Sequence, residues 1–273
     1  MKMKHLAMAA AAACALVAVG ASAGAGQLDA KLTYNGQTRA LDHILVLQYG
    51  NEEGLESGPK LRIFLSDREI PLGVAGGATS SRAQTYARQA GFTAVMITAD
   101  PTGQDRGASA SLLNTSGMDP RNFVSASSTD AFSVLQVTRE RASGALSFDN
   151  TTMKLAAKFD APVAANPITA SLTGSAALAS PPVKALAAYR AALKKADLET
   201  AGKFATAARM KTLRDYRAQA GEQAFRDAVA AAVGDDLAKV IKRVIVRGTT
   251  ASVVLEDKKV DELVQEADGW KVD

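Results

Sequence analysis

The chain has 273 residues, with 32 basic and 28 acidic side chains, a net charge of +4, one cysteine and two histidines. This length suits two ordinary domains. The charges nearly balance, and no basic run interleaves with aromatic residues, so the sequence gives no support for nucleic-acid binding.

The first 23 residues carry the three parts of a secretory signal peptide. Lys2 and Lys4 form a positive start, residues 6–20 are uncharged and mostly apolar, and Ala21-Ser22-Ala23 is a small-x-small cleavage site. The apolar run is too short and too rich in alanine for a membrane span, which needs about 20 apolar residues. We therefore predict cleavage after Ala23 and a mature protein in the periplasm or outside the cell.

Cys14 lies in the middle of the apolar run, so we expect it to be discarded with the signal. Lipid attachment at Cys14, which would anchor the protein to a membrane, is the alternative. Without Cys14 the mature chain has no disulfide, no thiol nucleophile and no thiolate metal site. Its net charge falls to +2, His43 is its only histidine, and no later run is apolar enough to cross a membrane.

Residues 24–165 are predicted to form an antiparallel β-sandwich. Short strands follow one another with turn signals at intervals of about 8 to 12 residues, which is typical of a sandwich or barrel. Asn35-Gly36 predicts a tight hairpin turn, because both turn positions require positive φ. Residues 39–49 are the expected return strand, and one helix, 82–90, should begin after Ser81 and end at Gly91. Further strands are predicted at 60–65, 93–99, 108–113, 122–127, 132–139, 144–148 and 153–159.

Residues 166–180 are predicted to be a linker, because they are rich in Ala, Ser, Thr and Gly and lack helical periodicity. Residues 181–273 have a different pattern. Ser180 followed by two prolines predicts a helix start. Helices should continue to about residue 233, with strands at 240–246, 251–255 and 260–267. The chain as a whole is predicted to be α+β.

The last third resembles the nuclear-transport-factor-two-like superfamily, in particular its small exported bacterial members. The resemblance rests on the helix Val183–Tyr189 leading into Lys195–Glu199, on Ala251–Leu255 before an acidic turn, and on the closing Asp268-Gly269-Trp270-Lys271-Val272. It implies a cone in which helices are wrapped by a curved antiparallel sheet. Residues 24–165 have only a general likeness to exported bacterial β-domains of unknown role.

Large aromatic side chains are the candidate ligand-binding residues of such a cone, with a place in its core as the competing interpretation: Tyr189, Phe204, Tyr216 and Trp270. The superfamily includes ketosteroid isomerase, in which a carboxylate base works opposite a tyrosine. The corresponding residue types here, Asp215 and Asp227, lie among arginines at helical spacing. That spacing predicts a solvated face of mixed charge.

His43 is the other candidate for chemistry. It could pair across the sheet with Ser66 or Asp67, whereas Asp42 should point to the opposite face because neighbours on a strand alternate. A histidine bonded to backbone or water is the alternative. Residues 100–105 are polar and contain two aspartates but lack the ligand spacing of a calcium loop. We therefore expect no metal and no cofactor.

Two classes of function follow from these features. The first is a non-enzymatic envelope protein that binds a small apolar ligand or a protein partner, with a homodimer left open. The alternative is a hydrolase or an isomerase-like enzyme that uses His43 or the Tyr/Asp set. Convergence of His43, Ser66 and Asp67 in a cleft would favour the enzyme.

Overall fold

The computed structural model describes residues 27–114, 124–151, 153–233 and 236–273, and the predicted signal peptide and Cys14 lie outside them. The described residues form a mixed α+β structure with two sheets. One sheet belongs to residues 27–164, here called the first half, and the other to residues 170–272 of the second half. Among the described residues, no helix is long and apolar enough to cross a membrane.

The first half contains ten described strands and two helices. The strands are β1 Gln27–Tyr34, β2 Gln37–Leu41, β3 His43–Tyr49, β4 Lys60–Ser66, β5 Ala94–Ala99, β6 Ala108–Leu112, β7 Ser125–Ser128, β8 Phe132–Val137, β9 Arg141–Asp149 and β10 Met153–Ala164. The helices are α1 Leu72–Ala75 and α2 Ser81–Ala90. The predicted Asn35-Gly36 turn is confirmed, with φ values of 49° and 73°.

One long strand connects the two layers of this half. β10 pairs with β1 on one edge and β9 on the other, and its last residues pair in parallel with β3. The path β2-β1-β10-β3-β4-β5-β6-β7 is thus one continuous sheet that curls over a common apolar core. The expected antiparallel sandwich is met in part, because two layers share a core but remain hydrogen-bonded through β10.

The predicted return strand 39–49 is wrong as a single strand. The strand is interrupted at Asp42, so that β2 pairs with β1 whereas β3 pairs with β4. Strand β3 is buried on both faces: Val46 faces the common core, and Leu47 faces a second cluster beneath α1 and α2.

The second half begins inside the segment predicted as a linker. Its elements are β11 Ala170–Leu172, α3 Gly174–Ala179, α4 Pro181–Lys194, α5 Leu198–Gly202, α6 Ala207–Ala220, α7 Glu222–Val233, α8 Leu237–Val240, β12 Ile241–Arg247, β13 Thr250–Leu255, β14 Val260–Glu266 and β15 Gly269–Val272. They include two strands beyond the three predicted. β11 is too short to show alternation, and β15 holds Trp270, which the sequence placed beyond the last strand.

Helices cover one face of the antiparallel sheet β11-β12-β13-β14-β15. α4 follows Ser180 with prolines in its first turn, as predicted, but the Ser180 hydroxyl donates to the carbonyl of Ala177 and does not cap the helix. α4 packs on α7, β13 and β15. The break between α6 and α7 falls at Gly221, which has a φ of 83°.

The opposite face of this sheet is also buried, because the first half packs on it. Ile245 and Val254 are almost fully buried there, outside the cluster beneath the helices. Arg243 and Arg247 of β12 and Glu262 of β14 hydrogen-bond to the first half. This contact positions the candidate site.

Candidate functional site

A buried ionic cluster joins the two halves; it consists of Tyr49, Glu52, Glu53, Arg62 and Arg247. The Arg247 guanidinium forms an ion pair with Glu53 through Nη1 and reaches Glu52 Oε2 at 2.7 Å through Nη2. The Tyr49 hydroxyl donates to Glu53 Oε2 at 2.7 Å. The Glu53 side chain is fully buried and that of Arg247 is 5% exposed. Both charges are therefore compensated away from solvent.

Arg62 completes this cluster from strand β4. Its guanidinium lies 3.8 Å from the centroid of the Tyr49 ring and donates to the carbonyls of Gly77 and Ala78 at 2.7 and 2.8 Å. These bonds hold the segment between α1 and α2 in place. This segment leads into α2, which lies against the second half. Stacking of a guanidinium on an aromatic face is a favourable arrangement.

The pKa values of the cluster follow from its contacts. Burial favours the neutral form of Glu53, but the hydrogen bonds from Arg247 and Tyr49 outweigh it and lower the pKa of Glu53. Burial likewise opposes the charge of Arg247, yet its bond to Glu53 raises the pKa of Arg247. Burial raises the pKa of Tyr49, so its hydroxyl remains a donor. Glu53 and Arg247 thus form a charged pair that links the two halves.

A cleft of about 200 Å³ lies beside this contact, and we call it the junction cleft. The first half supplies one wall from helix α2, and the second half supplies the other from α6, β14 and the residue after β15. Its lining residues are Ser81, Arg82, Thr85, Arg88, Ala208, Arg209, Thr212, Glu262 and Asp273. Polar side chains thus dominate the cleft, and both halves are needed to form it.

The three arginines of the junction cleft differ in their partners. Arg82 Nε lies 3.4 Å from Asp273 Oδ2, and both side chains are largely buried. Arg209 donates through Nε to the Tyr189 hydroxyl at 3.1 Å. Arg88 has only a long contact of 3.4 Å to the Thr85 hydroxyl. Within the described part of the chain, Arg82 alone is paired with a carboxylate.

Glu262 is the acid of the cleft that binds the first half directly. Its two carboxylate oxygens accept from the backbone N–H and the hydroxyl of Thr79, at 2.9 and 2.8 Å. Burial nevertheless raises the pKa of Glu262, and the nearby Asp273 carboxylate acts in the same direction. Both effects favour the protonated carboxyl of Glu262 over its carboxylate.

The predicted ligand-binding aromatics lie in two places. Tyr189 is buried, and Phe204 and Trp270 pack partly buried against the same apolar cluster beneath the helices. Tyr216 is 41% exposed on α6, with its ring centroid 6.2 Å from that of the buried Phe225. The structure therefore brings three of the four to one core and separates the fourth. Their role in binding stays a prediction.

The predicted charge-mixed face of α6 and α7 is confirmed. Asp215 pairs with Lys211 at 2.6 Å, and Asp227 accepts from Gln223 at 2.9 Å, both on exposed positions. Neither carboxylate faces Tyr189, which lies in the core. The residue types of an isomerase are present, but they are not assembled around one space.

His43 does not meet a nucleophile in a cleft. It stands opposite Ser66 in the ladder, but the buried Ser66 hydroxyl donates to the carbonyl of Arg68 at 2.6 Å. Asp67 accepts from the backbone N–H of Thr93 at 3.0 Å. The expectation for Asp42 is wrong: it lies outside the strands, and its carboxylate reaches 3.6 Å from His43 Nε2 on the surface.

The polar loop 100–105 binds its own backbone. The Asp100 carboxylate accepts from the N–H groups of Thr102, Gln104 and Asp105. Burial acts to raise the pKa of Asp100, but the hydrogen bonds from the Thr102 hydroxyl and from these N–H groups together outweigh it and lower the pKa. Among the described residues, no group of three His, Cys, Asp or Glu side chains is placed to hold a metal ion.

Sequence reasoning missed both the buried ionic cluster and the junction cleft. One signal was present: Arg62 interrupts an otherwise apolar strand, and a charged residue in such a strand must find partners inside the protein. Comparison with protein-family models, curated proteins and solved structures gives no match for this chain.

Proposed function

We propose that this chain is a non-enzymatic binding protein of the bacterial envelope, and that its ligand or partner enters the junction cleft. The observation that carries the proposal is that two separately built halves form one polar cleft and are held beside it by the buried ionic cluster. Ligand sites occur preferentially at such domain junctions. Placement in the envelope rests on the signal-like first 23 residues.

The polarity of the cleft shifts the proposed ligand away from a small apolar molecule. Three arginines and three hydroxyl side chains line it, whereas the apolar candidates of the second half are occupied in core packing. The cleft is also smaller than the roughly 300 to 1,000 Å³ of pockets that enclose drug-sized ligands. A small polar molecule, or one polar group of a larger partner, fits these dimensions.

The likeness of the second half to the nuclear-transport-factor-two-like superfamily is part of this proposal. It is supported by the order of elements, since helices α4 to α7 precede the strands β12 to β15 and cover one face of their sheet. The resemblance would place a ligand inside the cone. In this chain we place the ligand at the outer contact between the halves.

The experiment is a thermal-shift screen of the mature chain with three sets of compounds: polar anions, neutral sugars and fatty acids. Each set is tested against the wild type, Thr212→Trp, which fills the junction cleft, and Lys154→Trp as a control on the exposed face of β10. We expect a stabilising compound whose effect disappears only in Thr212→Trp. Stabilisation that survives in Thr212→Trp, or no stabilisation by any set, would contradict the proposal.

A further inference from the structure

The lining of the junction cleft contains three arginine side chains but only two acidic side chains. Asp273 is engaged with Arg82, and Glu262 is bound by Thr79 and has a raised pKa. Arg88 and Arg209 remain without a carboxylate partner in the described residues. Their contacts to Thr85 and Tyr189 are to neutral oxygens.

The donors of the cleft come from two directions. Ser81, Thr85 and Arg88 line the space from α2, and Arg209 lines it from α6. Thr212 also lines it, but its hydroxyl donates to the Ala208 carbonyl at 3.2 Å. The first turns of α2 and α6 also contribute to the lining, and the positive ends of helix dipoles add to the field of the guanidinium groups. Such a set of donors is suited to an anion with several oxygens.

We infer that the junction cleft binds a phosphoryl group. A terminal phosphate has three oxygens that accept strong hydrogen bonds, and arginine is the side chain that recognises them in paired geometry. A carboxylate has only two oxygens and would leave part of this donor set without an acceptor. The inference rests on the proposed function, because it names the ligand class of the same cleft.

The phosphoryl group could belong to a free phosphomonoester or to the headgroup of a phospholipid. The small volume of the cleft admits the charged group in both cases and leaves the remainder of the molecule outside. The two sources share the chemistry of recognition, and the experiment below separates them.

The test measures binding of inorganic phosphate and glycerol 3-phosphate by calorimetry at constant ionic strength, with succinate as the carboxylate probe. Vesicles of phosphatidylcholine, with and without phosphatidylglycerol, are tested by co-sedimentation. The variants are Arg88→Gln and Arg209→Gln, and the matched control is Arg214→Gln on the same helix as Arg209. Arg88→Gln should leave the fold intact, because Arg88 is exposed and its one hydrogen bond within the described residues is the long contact to Thr85.

We expect a phosphate-bearing probe to bind the wild type and to bind each cleft variant about tenfold or more weakly, since a hydrogen bond to a charged group is worth at least that factor. Arg214→Gln should bind like the wild type. Binding of the free phosphates identifies a soluble ligand, and binding only to anionic vesicles identifies a headgroup; both support the inference.

Two results would overturn it. If phosphate-bearing probes fail to bind, or bind the two cleft variants as tightly as the wild type, the cleft is not a phosphoryl site. If succinate or a neutral compound binds and is lost in Thr212→Trp while phosphate has no effect, the ligand class is wrong but the proposed function stands.

Discussion

Arg247→Met tests whether the buried ionic cluster holds the two halves together. Methionine keeps much of the length and apolar character of arginine but removes its charge, which leaves the fully buried Glu53 carboxylate without its paired cation. Removing one partner of a buried ion pair costs about 3 to 5 kcal/mol, because the remaining charge stays desolvated. That is a large share of a typical domain stability of about 5 to 15 kcal/mol.

Two further variants isolate the cause of this loss. Arg226→Met makes the same change on the surface, where Arg226 pairs with Glu222 at 2.9 Å, and should cost about 0 to 1 kcal/mol. The double variant Glu53→Gln with Arg247→Met removes both charges and should regain at least half of the lost stability. Recovery in the double variant distinguishes an uncompensated charge from lost packing.

Urea unfolding followed by two probes is the assay. Far-ultraviolet circular dichroism reports the whole chain, and the fluorescence of Trp270, the only tryptophan, reports the second half. We expect coincident curves for the wild type and separate curves for Arg247→Met. A loss of stability below about 1 kcal/mol, equal to that of the Arg226→Met control, would refute the role of the cluster in holding the two halves together.

The pH dependence of the same variants adds an independent check. The pKa of Glu53 is lowered in the folded protein, so its contribution to stability is present above the ordinary glutamate pKa and is lost as pH falls through the folded value. The double variant lacks this contribution. Its stability should therefore fall less on acidification than that of the wild type.

Three other predictions follow from the structure. Because burial raises the pKa of Glu262, its charge destabilises the fold at neutral pH, and the wild type should gain stability as pH falls from neutral towards the ordinary glutamate pKa. Glu262→Gln should remove this gain. Parallel pH profiles of the wild type and the variant in urea unfolding would contradict this. Trp270→Ala should cost about 3 kcal/mol or somewhat less, since the ring is only partly buried; an unchanged melting temperature with water-like emission in the wild type would show that the ring packs on nothing. Measurement of the intact mass of the exported protein should place its first residue between Gly24 and Gln27. The melting temperature of this protein should be the same with and without reductant. A lipid-modified Cys14 would disprove both the cleavage site and the absence of a thiol.

Local signals in the sequence predicted most elements of the fold. The Asn35-Gly36 turn, the stop at Gly91 and the start of β10 at Met153 each depend on a few neighbouring residues, and each appears where expected. The predictions that were wrong concern elements that depend on residues distant in the sequence. The break at Asp42 follows from β3 joining β4, and β11 forms only because β12 offers an edge more than seventy residues away.

The candidate site could not be predicted from the sequence for the same reason. Glu53 and Arg247 are separated by 194 positions, and each resembles an ordinary surface charge in its local context. The junction cleft takes its arginines from α2 and α6, which local patterns place correctly without indicating that they meet. Three of the four aromatic candidates, Tyr189, Phe204 and Trp270, pack against one core.

The pairing of β1 with β10 decides when the first half can fold. Gln27 pairs with Asp160 and Tyr34 with Met153, so β1 gains its inner neighbour only after the chain has been supplied to about residue 160. Closing so long a loop is slow, and a lone two-stranded hairpin is marginal in water. A chain synthesised from its N-terminus therefore completes this core only after about residue 160, and Leu32 and Leu41 stay exposed until then.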